Sequence, residues 1–388
     1  MTADPGGGAA DGAVPTRDSF LELRGLAKSF GDTRVLEDFT LGLGEGEILA
    51  LLGLSGSGKT TALRLLAGFE TPDEGTVRIG GQDVTTLSPA ARGFGMVFQH
   101  YALFPHMSVE QNIAFGLEAQ GWDKGRIAPR VDEMLALVHL EGFGSRRVSE
   151  ISGGQQQRVA LGRALAPEPR LLLLDEPLSN LDPALRERTR QELRAAVRRV
   201  GITTVLVTHE QEEAFHVGDR VAVLNAGRLE QVGLPQELYR APTSPFVATF
   251  IGRSGTLRGT LEAVDDLGAA RVRLGDALWH GRARGPSAQG LARGAAVDFV
   301  VRPESLRLTD PQTPDALAGR VADHRFTGAA TFAVIDLAVG GRVLVSSDDT
   351  EVGAVVHVVP ALDGTARGGT APSGHGPEPS VFPAGDPT

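Results

Sequence analysis

Residues 53–60 read GLSGSGKT, the spacing G-x-x-x-x-G-K-[ST] of a loop that cradles phosphate groups. Gly53, Gly56 and Gly58 let backbone N–H groups turn inward around anionic oxygens, and Ser55, Ser57 and Thr61 share the same cradle. Lys59 supplies a point charge for the β- and γ-phosphates of a nucleoside triphosphate such as ATP, and Thr60 a hydroxyl for Mg²⁺. Two other glycine loops fit worse. A dinucleotide fingerprint would need glycine at position 61, which is threonine, and no H-R-D or D-F-G follows as in a protein kinase.

Residues 171–176 read LLLLDE, an apolar strand delivering two acids at its end. Asp175 is placed to hold Mg²⁺, directly or through water, and Glu176 to orient and deprotonate an attacking water. Residues 151–155 read ISGGQ, in which Ser152 and Gln155 have capping-box spacing. A helix should start there and run to about Ala166, before Pro167, and its start at Gly153 and Gly154 would be a second anion site with two exposed glycines. One γ-phosphate held by one loop has no evident need of the other.

These residues need rigid elements behind them. Residues 48–52 (ILALL), 96–98, 171–174 and 204–208 are short apolar strands of the kind a parallel sheet buries on both faces. Helices are expected over 59–67, ending at Gly68, over about 131–140, and from Asp182 as N-cap with Pro183 in the first turn and Leu185, Leu193, Val197 and Val200 on one face. After a linker at 241–255 the texture changes to period-two runs at 296–301, 331–337, 341–347 and 354–359, which read as a small antiparallel barrel or sandwich. Residues 1–17 and 361–388, rich in Gly, Ala, Pro and Asp, read as disordered tails.

The whole chain of 388 residues carries 38 basic and 48 acidic side chains, a net charge of −10, which argues against nucleic acid as a partner. With no cysteine there is no disulfide framework or thiolate metal site. The first residues lack the basic start and apolar core of a secretory signal, and no apolar run approaches the ~20 residues that cross a bilayer. Any tie to a membrane is expected to run through a partner.

ISGGQ closely resembles the LSGGQ signature of ATP-binding-cassette (ABC) ATPases, with Ile151 in place of leucine. Other family motifs follow in order. By that resemblance Phe30 stacks on adenine, Gln99 meets Mg²⁺ and senses a transmembrane partner, residues 179–182 (SNLD, ending in Asp182) touch the opposite subunit, and His209 contacts the γ-phosphate. The resemblance covers about 18–240. It implies an α/β P-loop NTPase: a RecA-like parallel sheet with antiparallel β and helical subdomains, the helical one at about 100–165. It also implies two copies packed head to tail, with ATP between Lys59 of one and Ser152 and Gly154 of the other.

The stretch 99–117 resembles the importer branch that serves iron(III), polyamines, sulfate or sugars, and its aromatics suit a docking groove for a permease helix. Residues 301–308 and 319–337 resemble the transport-associated OB-type (TOBE) domain of those importers, placed at 256–360. The implied protein is an ATPase on the cytoplasmic face of the cell membrane, held by a permease and served indirectly by an external solute-binding protein. Iron(III) and polyamines are the leading cargoes. The rival reading is a soluble ABC ATPase acting on nucleic acid or ribosomes, which usually carries a coiled-coil insertion or a second cassette; neither is visible.

Overall fold

The computed structural model describes Pro15, residues 19–361 except 289, 329 and 348, and residues 377–385. Of the expected tails 1–17 and 361–388, residues 1–14, 16–17, 362–376 and 386–388 lie outside the described residues. The chain divides into two units, 1–235 and 236–388.

The first unit opens with β1 (Leu21–Phe30) and β2 (Thr33–Leu43), then β3 (Ile48–Gly53), α1 (Lys59–Ala67), β4 (Glu74–Ile79), β5 (Gln82–Asp83) and β6 (Phe94–Val97). Three helices follow within the segment expected to be helical: α2 (Val109–Ala119), α3 (Lys124–Leu137) and α4 (Gly153–Leu165). The unit continues with β7 (Leu171–Asp175), α5 (Pro183–Val200), β8 (Thr203–Thr208), α6 (Gln211–Val217), β9 (Arg220–Asn225) and β10 (Arg228–Gly233). Six strands form one sheet in the order β10-β9-β3-β8-β7-β6, parallel except for β10. A four-stranded antiparallel sheet, β2-β1-β4-β5, lies beside it in sequence.

Burial explains the unbroken apolar strands. Leu49, Leu51, Leu171, Leu173, Val205 and Val207 pack into a core with Leu63 and Leu66 of α1 and Phe39 of β2, while Ile48, Leu172, Leu174 and Leu206, on the alternate positions, are equally buried. A sheet covered on both faces has no polar positions to alternate with.

Local signals set several ends. Gly68 closes α1 in the left-handed region (φ 79°), where its N–H reaches the carbonyls of Arg64 and Leu65. Asp123 caps α3, which therefore starts seven residues before the expected 131 and carries Pro129 in its second turn. On α5, Val200 is 45% exposed and Leu185 only half-buried, against expectation; Val200 is the last helical residue before the Gly201 cap, and Thr189, Arg190, Leu193, Ala196 and Val197 form the covered face instead. Among the described residues no helix is long and apolar enough to cross a membrane.

The second unit begins around α7 (Pro235–Arg240). The supposed linker 241–255 is not bare: it holds α8 (Pro245–Phe250), started by the Ser244 side chain on the Val247 N–H (3.3 Å) and by Pro245, and ends in a strand. Strands β11 (Gly255–Val264), β12 (Ala269–Leu274), β13 (Ala277–Ala283) and β14 (Ala296–Val301) enter a closed barrel, and β15 (Leu306–Thr309), β16 (Leu317–Phe326), β17 (Thr331–Leu337), β18 (Arg342–Ser346) and β19 (Val355–Pro360) form a five-stranded sheet. Their apolar faces share one core, with Trp279 and Phe299 at 6.0 Å between ring centroids and Ile335, Val345 and Val358 beside them.

The barrel is closed by β20 (Ser380–Pro383), which pairs parallel with β13 and antiparallel with β14. The expectation of a disordered 361–388 therefore fails at 380–383, because Val381 and Phe382 are fully buried apolar residues that the surrounding Pro and Gly had masked. Phe382→Ala should destabilise this unit by about 3–5 kcal/mol, the usual cost of emptying a buried aromatic site, read as a lower melting midpoint. A midpoint unchanged from the parent chain would show that β20 adds nothing to the fold.

Candidate functional site

Parallel register brings the chemistry to one edge. Leu52 pairs with Thr208, Asp175 with Val207 and Val97 with Leu174, so the carboxyl ends of β3, β8, β7 and β6 are neighbours. In open parallel sheets that edge is where ligands bind. The loop after β3 carries Lys59, the end of β7 carries Asp175 and Glu176, His209 follows β8, and Gln99 follows β6.

The loop 53–60 is shaped by its glycines at two points. Gly58 has φ 103°, a left-handed conformation, and a Cβ there would meet the Val35 carbonyl oxygen at 2.8 Å; a Cβ on Gly53 would come within 2.3 Å of the Leu224 carbonyl oxygen. Gly58 is also the N-cap of α1 and gives no side-chain cap. No backbone acceptor meets the N–H groups of Gly58, Lys59, Thr60 or Thr61 among the described residues, so the start of α1 presents unpaired donors and a positive dipole end. Ser57 is buried and its hydroxyl is without a partner. Such a cradle suits an anion.

Lys59 is 5% exposed, with Nζ donating to the carbonyls of Gly53 (2.9 Å) and Leu54 (2.8 Å). Burial pulls its pKa below the usual lysine value, against the opposing pull of Glu176 and Asp175. Burial, reinforced by Glu176, pushes the Asp175 carboxyl above the ordinary aspartate range, and Arg64 and Lys59 only partly offset it. Glu176 sits just past β7 at φ 45°, a conformation costing a non-glycine residue about 1–2 kcal/mol, while its N–H still donates to the Val207 carbonyl at 2.9 Å. Its two carboxylate oxygens have separate partners: Gln99 Nε2 donates to Oε2 at 3.1 Å, and His209 Nδ1 lies 3.1 Å from Oε1.

Lys59, Asp175, Glu176, Gln99 and His209 are thus assembled in one chain. The other expected residues stand apart. Phe30 is 46% exposed, with Lys28 Nζ at 5.4 Å from its ring centre. Ser152 caps α4 in a full capping box: its N–H donates to Gln155 Oε1 (2.8 Å) and its Oγ accepts from the Gln155 N–H (3.4 Å). Of the two glycines expected to be exposed there, only Gly153 is; Gly154 is buried, and a Cβ on it would press on the Leu185 side chain at 3.2 Å, where α4 and α5 approach. Asp182 caps α5 by accepting from the Leu185 N–H at 3.0 Å. None of residues 152–155 or 182 bonds to loop 53–60.

The structure adds residues that the motifs did not single out. Asn180 donates to the Gln99 carbonyl and lies 3.1 Å from His100 Nδ1, tying the loop after Glu176 to the segment after β6. Arg186 of α5 donates to Glu210 at 2.6 Å, and Glu213 of α6 accepts from Thr208. The sequence cue for Glu213 was slight: an acid in the first turn of a short helix.

Residues 36–179 match the ABC transporter family, and residues 299–364 match the TOBE domain. The spermidine/putrescine import ATP-binding protein PotA of Lawsonia intracellularis is 44% identical over 340 residues, covering 86% of this chain and 91% of that protein. The protein of the same name from Rubrobacter xylanophilus is 46% identical over 324 residues, covering 84% of this chain and 85% of its own. Among solved structures, cbiO1 from Clostridium perfringens, described as part of the ABC transporter complex cbiONQ, is 29% identical, with a TM-score of 0.54 over 57% of this chain and 91% of that one.

Proposed function

This chain belongs to the ABC transporter family, as an import-type ATPase with a TOBE domain, and from that premise we propose that its ATP is enclosed between two copies and spent on polyamine uptake through a permease. The observation that carries the catalytic part is the Glu176 carboxylate, held by Gln99 and His209 at 3.1 Å each beside the buried Lys59 ammonium. Glu176 takes the proton of the attacking water, and its two partners fix where that base stands. Lys59 and the unpaired N–H groups at the start of α1 gather the β- and γ-phosphates. His209 reaches the γ-phosphate, and Phe30 offers an exposed ring to adenine.

The same edge suits Mg²⁺. An octahedral oxygen site needs one or two carboxylates, with the remaining ligands from phosphate and water, so no larger acidic cluster is required, and none exists among the described residues. Asp175, partly buried at the end of β7 beside Glu176, is an oxygen donor at that edge. Asp175, Thr60 and Gln99 are the residues that would hold the ion. Bound with the nucleotide, Mg²⁺ neutralises charge on the phosphate oxygens.

The second copy is called for by what one chain leaves unused. The start of α4 at Ser152, Gly153 and Gly154 is a helix terminus in the family's signature motif, yet it touches nothing at the loop of its own chain. Supplied by a partner, it completes the γ-phosphate's enclosure, with residues 179–182 crossing between copies. Closure then requires ATP and hydrolysis releases it, a ligand-biased two-state element.

Two tests follow. Ser152→Arg should leave ATP binding to a single chain within about twofold while preventing dimerisation, since it removes the hydroxyl that caps α4 and puts a long side chain where the partner's nucleotide must fit. Heterodimers of that variant with Glu176→Gln chains, isolated through a different affinity tag on each chain, should hold at most one enclosed nucleotide per dimer; two closed sites in the heterodimer would exclude the head-to-tail arrangement. Cargo is tested by uptake of labelled spermidine and putrescine in cells with and without the chain, against iron(III) as control. The polyamine proposal follows the relatives' cargo, and unchanged polyamine uptake would remove it. Recruitment to the cytoplasmic face of the membrane runs through the segment around residues 99–108, which exposed Phe98 precedes and whose Phe104 packs on exposed Phe115 at 4.5 Å between ring centroids.

A further inference from the structure

His209 has one residue on each side, and a single hydroxyl governs both. Thr208, the last residue of β8, is 1% exposed; its Oγ1 accepts the backbone N–H of Glu210 at 3.0 Å and donates to Glu213 Oε2 at 2.5 Å. The Glu210 N–H would otherwise be capped by a side chain of the helix itself. Glu213 is the third residue of α6, where a glutamate ordinarily reaches back to the N-cap N–H in a capping box. Here Glu210 is the N-cap and its own side chain caps nothing; its N–H is taken by the Thr208 hydroxyl, and the Glu213 carboxyl passes that N–H by and grips the threonine instead. The turn holding His209 is thus stapled across by Glu210 N–H, Thr208 Oγ1 and Glu213 Oε2 in series.

We propose that Glu213 is a positioning residue for the γ-phosphate switch, fixing His209 against Glu176 through the Thr208 hydroxyl. The inference rests on the reading of His209 given above.

Three observations separate this from a generic buried contact. Glu213 is 2% exposed, its second oxygen, Oε1, has no hydrogen-bond partner, and the Thr208 hydroxyl is the donor that its carboxyl does engage. The groups that face it are Glu210 of the same turn and Arg190 and Arg186 of α5; the arginines are engaged elsewhere, Arg186 with Glu210 at 2.6 Å and Arg190 with Glu187 at 2.6 Å and Glu212 at 3.6 Å. Burial raises its pKa to about 7, against the pull of the Thr208 hydrogen bond and the two arginines. Ionised it accepts the hydroxyl proton, and protonated it still offers Oε2 as a hydrogen-bond partner, so the grip on Thr208 survives around neutrality. Lastly, the turn leads to one functional atom: His209 Nδ1, 3.1 Å from Glu176 Oε1.

The test is a double-mutant cycle in the full chain, read as Mg²⁺-dependent phosphate release from ATP. Glu213→Ala should lower kcat about tenfold with KM for ATP changed less than about twofold, because loop 53–60 is untouched, and Glu213→Gln, which keeps the acceptor, should recover to within about threefold of the parent. In a His209→Ala background, Glu213→Ala should have no further effect on kcat. Equal losses in both backgrounds, or a rise in KM that accounts for the whole loss, would overturn the proposal. If His209→Ala itself leaves kcat unchanged, the reading of His209 fails, which is a separate result. Should Glu213→Ala not fold, Thr208→Val breaks the same series without removing the carboxyl or the volume; a Thr208→Val chain that folds and keeps the parent kcat would equally overturn it.

Discussion

Glu176→Gln should lower Mg²⁺-dependent ATP turnover by at least ~10²-fold, about 3 kcal/mol of barrier, and should leave ATP able to hold two copies together. The amide keeps the shape of the carboxyl and one acceptor oxygen but cannot accept a proton from water. It also keeps enough geometry for Gln99 and His209 to remain near it, both within 3.1 Å of the native carboxylate. Loss of turnover would then report the base itself and not a collapsed site. The nucleotide-binding loop is unchanged, so ATP should still bind, and without hydrolysis the enclosed state should accumulate as a dimer by size-exclusion chromatography with ATP and dissociate with ADP. Near-normal phosphate release from this variant would remove Glu176 from the role of general base.

Lys59→Ala should reduce ATP affinity by at least about tenfold and turnover by at least ~10²-fold, since a charge-assisted hydrogen bond to a buried partner contributes about 1.5–3 kcal/mol before its effect on the reacting phosphate is counted. Burial has already cost Lys59 part of its preference for the charged form, and the Glu176 and Asp175 carboxylates offset part of that cost. Its removal leaves those carboxylates facing the incoming phosphates with less positive charge between them. The Gly53 and Leu54 carbonyls also lose their donor, so the loop's own shape is loosened. Fluorescent-nucleotide titration and steady-state turnover read the two effects separately; unchanged values of both would dismiss the phosphate-cradle role of the loop.

Legibility in the sequence followed the range of the interactions. Asp175, Glu176 and His209 were readable because they stand at or just past the ends of short apolar strands, and Lys59 because it ends the glycine loop that follows one; a parallel sheet sends all such ends to one edge. The caps at Gly68, Ser152 and Asp182 were readable because a cap is decided within four residues. The hydrogen bond between Gln99 and Glu176 was not, since the two are 77 positions apart and only the adjacency of β6 and β7 joins them. The burial of Gly154 escaped for a similar reason: a glycine that leaves room for Leu185 looks, in a string of letters, like one that leaves room for phosphate. The strand at 380–383 was hidden by composition, because four residues of β structure set among Pro and Gly give no period to count.

That strand makes the last stretch of chain an insert held by pairing and not merely by its covalent tether. A cut anywhere in 362–376 would leave Ser380–Pro383 seated between β13 and β14 as a bound peptide, so the integrity of the nicked barrel would vary with protein concentration, and a synthetic 377–388 could be exchanged into it. Emptied of that peptide, the barrel would present two raw strand edges to its neighbours, the ordinary starting point for clumping.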